Sequence, residues 1–181
     1  MKIYVIGGKA RAGKNTFGDL LRQELQNYGY KPCIMHITEP LYSYARIYFN
    51  WDGNEEGKPR EFLQKMGIEI IREKLGKKDF LLNRLFEDIE ILSNFFDTFI
   101  ITDARLIHEF ELIKEKYEKV VTIKLDRKNY DNQLTEEEKN HITETEIDAY
   151  NQFDYIIQNN SIEELELAAK ELINNEEKGE E

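Results

Sequence analysis

Gly8-Lys9-Ala10-Arg11-Ala12-Gly13-Lys14-Asn15-Thr16 follows the apolar run Ile3-Tyr4-Val5-Ile6 and leads into an amphipathic helical pattern. Strand, glycine loop and helix in that order read as a phosphate-binding loop at a helix N-terminus. Glycines let the backbone curl so that successive N–H groups point at phosphate oxygens, while the helix end adds partial positive charge and Lys14 a full one. A nucleoside triphosphate fits such a cradle best. Its phosphates are expected on Gly8, Arg11, Ala12, Gly13, Lys14, Asn15 and Thr16.

The residue after the lysine is Asn15, where a Ser or Thr usually helps to hold Mg²⁺, and the hydroxyl comes one place later at Thr16. An amide oxygen is a poorer ligand for a hard cation than a hydroxyl there. Mg²⁺ is therefore expected near Thr16, held through water and a distant carboxylate.

Outward from the loop, short apolar runs alternate with helical periodicities, the sequence form of an α/β fold whose parallel sheet is flanked by helices. Strands are predicted near 2–7, 32–37, 97–102, 119–125 and 153–157. Phe17, Leu20, Leu21 and Leu25 recur at helical spacing before Gly29, so the chain opens as a βαβ unit. Pro40 to Phe49 has helix-like aromatic spacing, residues 50–57 form a loop, and Phe62, Leu63, Met66 and Ile70 mark a helix that Gly67 weakens. A further helix covers Phe80 to Leu92. The two helices between strands two and three would wall one side of a ligand cleft.

Leu106, Phe110 and Ile113 mark a helix on the opposite face. Residues 127–147 are polar and poor in core residues, which suits a mobile lid. Capping boxes are predicted at Thr135 with Glu138, Thr143 with Glu146 and Ser161 with Glu164. The expected organisation is one domain over 1–175, with a helical insert at about 39–95, a lid at about 127–147 and a frayed tail at 176–181.

A chain of 181 residues with 40% hydrophobic content can bury one sizeable core. The formal charge of −11 argues against a general nucleic-acid or anionic-membrane binder. The single cysteine, Cys33, cannot form an intrachain disulfide and reads as a buried, inert strand residue. No run is apolar for long enough to span a bilayer, so a cytoplasmic setting is expected. Small-molecule nucleotides are the expected partners, with no nucleic acid and no membrane; a homodimer is left open.

Asp103 closes the apolar run Phe99-Ile100-Ile101-Thr102, at the carboxyl edge of the sheet, where ligands of open α/β folds bind. It is a candidate for the metal or for the attacking group, and equally an N-cap for the next helix. Arg105 could reach an anionic substrate across that edge or pair with Glu109. Arg60 and Gln64 share a helix face, an arrangement suited to a monophosphate joined to a base. Arg127 opens the lid and could swing onto a transferring phosphoryl group. His36 and His108 read as structural, and His141 is the histidine singled out for a substrate contact. Trp51 could stack on a base or anchor its loop.

Taken together, residues 8–16, Arg60-Glu61-Phe62-Leu63-Gln64-Lys65-Met66-Gly67, Thr102-Asp103-Ala104-Arg105 with Glu109, and His141-Ile142-Thr143-Glu144 resemble the deoxynucleoside monophosphate kinase family of phages and bacteria. The resemblance implies a three-layer P-loop kinase fold with a five-stranded parallel sheet, helices on both faces and a small lid. It further implies transfer of the ATP γ-phosphoryl group to a deoxynucleoside 5′-monophosphate with Mg²⁺. Lys14 and Thr16 would then meet ATP phosphates, Asp103 the metal or acceptor, and Arg60 and Arg105 the monophosphate. The basic residue that such kinases often carry after Pro-Leu is absent, Tyr42 and Ser43 standing there. Dephospho-coenzyme A kinase, another small-acceptor kinase and a non-catalytic nucleotide-binding protein remain as alternatives.

Overall fold

The computed structural model describes residues 1–54, 57–128, 130 and 134–179. Part of the predicted 50–57 loop (Glu55, Glu56), part of the lid (129, 131–133) and the last two tail residues lie outside these.

Two compact units divide the chain, one of residues 1–35 and 92–181, the other of 36–91. In the first, β1 (Lys2–Gly7), β2 (Pro32–Met35), β3 (Thr98–Ala104), β4 (Val120–Asp126) and β5 (Tyr155–Gln158) form a parallel sheet in the order β2-β3-β1-β4-β5. The central strands are apolar along most of their length because helices cover both faces. Tyr4 and Ile6 join a core with Phe17, Leu21 and Leu25 of α1 (Lys14–Asn27) and Leu165, Ala169 and Leu172 of α8 (Ile162–Lys178). On the other face, Gly7 leaves room for Phe110 of α5 (Ile107–Lys116) and for Ile147.

The strand predictions hold to within one or two residues, and the exception is informative. β3 runs past Thr102 to Ala104, and its register against β1 slips between Val5↔Ile101 and Gly7↔Ala104. One extra residue on β3 makes a bulge beside the phosphate loop, the kind of irregularity that re-aims a side chain at a site. Asp103 sits within it.

In the second unit α2 (Glu39–Phe49) and α3 (Arg60–Gln64) appear as expected. The helix after α3 does not continue as an α-helix: residues Lys65–Lys74 wind as a π-helix. Gly67 lies in this stretch, where a Cβ would sit 3.2 Å from Leu41 Cδ1, so the wider turn and the missing side chain occur together at a close approach. The helix α4 (Phe80–Leu92) has the predicted bounds.

Three expectations are corrected. The tail does not fray from 176, because α8 runs to Lys178 and Glu176 binds both Lys2 Nζ (2.9 Å) and Tyr155 Oη (2.7 Å), while Glu177 accepts from Tyr30 Oη (2.8 Å). Thr143 and Glu146 form no capping box. His141 caps α7 (Ile142–Thr145) instead, and the Glu146 carboxylate accepts from Ile107 N at 2.7 Å. Cys33 is half-buried, since β2 is an edge strand; burial pushes its thiol up from the ordinary value. Thr135 and Glu138 form the expected reciprocal box at the start of α6 (Glu136–Asn140), whereas at α8 only the Ser161 half is made, its hydroxyl accepting from the Glu164 N–H; the cap bond is 3.2 Å in each case.

Candidate nucleotide site

The loop between β1 and α1 takes its shape from two glycines and one strained residue. Gly8 (φ 151°) lies where a Cβ would approach the Leu125 carbonyl oxygen to 2.6 Å, and Gly13 (φ 98°) lies against the Asn159 side chain. Between them Arg11 adopts a left-handed φ of 59°, a conformation that costs an ordinary residue of the order of 1–2 kcal/mol. Arg11, Asn15 and Thr16 are exposed, whereas Lys14 is buried. Its ammonium donates to the carbonyls of Gly8 and Lys9, each at 2.8 Å. The lysine is therefore folded against its own loop, which keeps the charge where the loop converges.

Three further strands of the first unit, β3, β4 and β5, deliver polar groups to the same carboxyl edge, where ligands of open parallel sheets bind. From the end of β3 come Asp103 and Arg105. Arg105 does not pair with Glu109, as one reading of the sequence had it; its guanidinium pairs with Glu144 of α7. One Glu109 oxygen instead accepts from the backbone N–H groups of Arg105 (2.7 Å) and Leu106 (3.0 Å), so the carboxyl holds the turn that carries Arg105. Burial pushes Glu109 up to about 7 against the pull of those two donors, and the Asp103 charge adds to the rise.

After β4, Arg127 donates to the Arg11 carbonyl at 3.4 Å and lies over the Tyr130 ring, 5.2 Å from its centroid. Tyr130 donates its hydroxyl to the Ala10 carbonyl. Lys9 forms an ion pair with Asp148 at 2.6 Å, which Lys124 also approaches at 3.4 Å. Burial would raise the Asp148 carboxyl, but the two ammonium groups outweigh it and hold it below its ordinary value. After β5, Asn159 Nδ2 donates to the Ala12 carbonyl at 2.8 Å. The described part of 127–147 is thus fastened to the loop by several polar contacts, and it buries Leu134, Glu144 and Ile147.

Lys14, Asp103, Arg105 and Arg127 therefore stand on one sheet edge. His141 Nδ1 is 2.9 Å from Thr143 Oγ1, and the side chain caps α7. Arg60 and Gln64 open and close α3 in the second unit. There Trp51 packs on Tyr42 (5.7 Å between centroids) and the Arg46 guanidinium (5.3 Å), and its Nε1 donates to the Asn54 carbonyl, so the ring anchors its loop.

Sequence reasoning assigned no role to Glu144, Tyr130 or Asn159. For Asn159 a signal existed. It lies two places beyond the strand predicted at 153–157, at the carboxyl edge that drew attention to Asp103.

The family described as deoxynucleotide monophosphate kinase matches residues 45–169. No curated protein matches the chain. Among solved structures, an APS kinase of Mycobacterium tuberculosis is similar at 14% identity and a TM-score of 0.54, over 96% of this chain and 94% of that one. A shikimate kinase of Bacteroides thetaiotaomicron is similar at 17% identity and a TM-score of 0.53, over 97% and 98% respectively. At such identities the likeness is one of fold.

Proposed function

Because the chain belongs to the deoxynucleotide monophosphate kinase family and is an ATP-dependent phosphotransferase, we propose that its acceptor is a deoxynucleoside 5′-monophosphate. The observation that carries this reading is the family match, which extends across the α3 segment, the Asp103–Arg105 turn and the His141–Glu144 block.

In the proposed reaction a phosphate oxygen of the acceptor attacks the γ-phosphorus of ATP. The bond from that phosphorus to the β–γ bridging oxygen breaks, and ADP leaves with the bonding electrons. Phosphoryl transfer asks the protein for charge neutralisation, alignment and exclusion of water more than for covalent chemistry. Lys14 would leave the carbonyls of Gly8 and Lys9 to meet the β- and γ-phosphates, while the loop amides hold the rest of the triphosphate. Arg105 and Arg127 offset charge on the group in transit, and Arg60 with Gln64 takes the acceptor's phosphate and base.

The Thr16 hydroxyl and the Asp103 carboxylate are hard oxygen donors of the kind that suits Mg²⁺, with water and phosphate oxygens making up the remainder. When bound there, the ion would neutralise phosphate charge. Asn15 is exposed beside Thr16 and is not needed as a ligand in this arrangement.

Turnover with ATP and Mg²⁺ against each deoxy- and ribonucleoside monophosphate and dephospho-coenzyme A tests the reading. ADP together with a deoxynucleoside diphosphate is the expected product pair. Phosphorylation of dephospho-coenzyme A alone, or of no acceptor, would overturn it.

A further inference from the structure

Glu144 is the one carboxylate among the fully buried described residues. A buried carboxylate is costly unless it is paired on its oxygens, and this one is paired on both. Oε1 meets the Arg105 guanidinium, and Oε2 accepts from the Ala10 N–H of the phosphate loop at 2.8 Å. Three segments far apart in the chain meet at one side chain: the loop after β1, the turn after β3, and α7.

We infer that Glu144 is a positioning residue for phosphoryl transfer, fixing the Arg105 guanidinium against the outer arm of the phosphate loop. This rests on the kinase reading above. The net stability of a buried ion pair is close to zero or unfavourable relative to an apolar replacement, so its consequence here is geometric. Arg105 stands about a quarter exposed, with one edge held by Glu144 and five N–H donors in all. The guanidinium is planar and rigid, so holding one nitrogen sets the orientation of the whole group. Because the same carboxylate grips the Ala10 amide, loop and arginine keep one spacing while a phosphoryl group passes between them. Tyr130 on the Ala10 carbonyl and Asp148 on Lys9 brace the same arm of the loop.

Glu144→Gln separates charge from shape. The amide oxygen can still accept from Ala10 N, but the guanidinium loses its counter-charge. The expected result is a folded protein with an ATP KM close to wild type and kcat lowered roughly tenfold or more, as loss of a charge-assisted contact implies. In a double-mutant cycle, Glu144→Gln adds little to the defect of Arg105→Ala. A kcat within about twofold of wild type in E144Q, or defects that multiply in the double variant, would overturn the inference.

Amide exchange on the nucleotide-free wild-type protein gives a readout free of both turnover and variant stability. The Ala10 amide is expected to be protected, and rapid exchange there would sink the proposal. If the wild-type protein phosphorylates no acceptor, the kinase reading fails, while the exchange result still decides whether Glu144 grips the loop.

Discussion

Asn159 donates its side-chain amide to the carbonyl of Ala12, 147 residues away, at 2.8 Å, and so closes the phosphate loop from the side of the last strand. Removing the donor in Asn159→Ala should cost about 1 kcal/mol of stability and loosen the Ala12–Gly13 peptide. ATP KM should rise several-fold, with kcat less affected. Asn159→Asp should be worse, because it sets an acceptor against the Ala12 carbonyl and a negative charge near the phosphates. Steady-state kinetics in ATP on the two variants checks this ranking.

Lys14→Ala removes a buried full positive charge at the point where the loop converges. The carbonyls of Gly8 and Lys9 lose a partner, so melting should shift by only a few degrees while kcat falls roughly a hundredfold or more. Paired thermal melts and turnover measurements check it, and a rate equal to wild type would remove Lys14 from the mechanism.

Arg60→Ala should raise the KM for the acceptor and leave that for ATP nearly unchanged, since the residue is assigned to the monophosphate. Initial rates with each substrate varied at saturation of the other separate the two. Equal damage on both sides would reassign Arg60.

Glu109 makes a pH prediction whose sign follows from its raised value. An unfolded glutamate ionises near 4.5 and the folded one near 7. Between these values the folded protein holds a proton that the unfolded chain has released. Its contribution to stability is therefore complete below 4.5 and lost as the pH rises through 7. Glu109→Gln cannot ionise, yet its single amide oxygen can accept from both Arg105 N and Leu106 N as the carboxyl oxygen does. Urea unfolding at pH 5 and pH 8 should show the wild type losing stability relative to the variant, by at most ~1.4 kcal/mol per pH unit. Parallel pH profiles would count against it.

What could be read from the chain was whatever local spacing encodes. The loop, its flanking strand and helix, and the bounds of α4 follow from residues within a few places of one another. The bulge at Asp103 does not, because it exists only in the register between β3 and β1. The π-helical winding of 65–74 was equally hidden, since over ten residues its apolar spacing barely departs from that of an α-helix. Glu144 stood in a recognisable block, yet its partners Ala10 and Arg105 are joined to it by the fold and not by any sequence interval. Tail fraying was misjudged for the same reason: the contacts of Glu176 with Lys2 and Tyr155 outweigh a polar composition.

The order β2-β3-β1-β4-β5 also governs how the protein is made. The strand that bears the loop is made about ninety residues or more before either neighbour that will clasp it, and the helix that packs beside α1 is made later still. Vectorial synthesis therefore leaves Ile3–Ile6 as an unpaired apolar edge until β3 and β4 have been made, and the nucleotide cradle assembles only after β5 has followed.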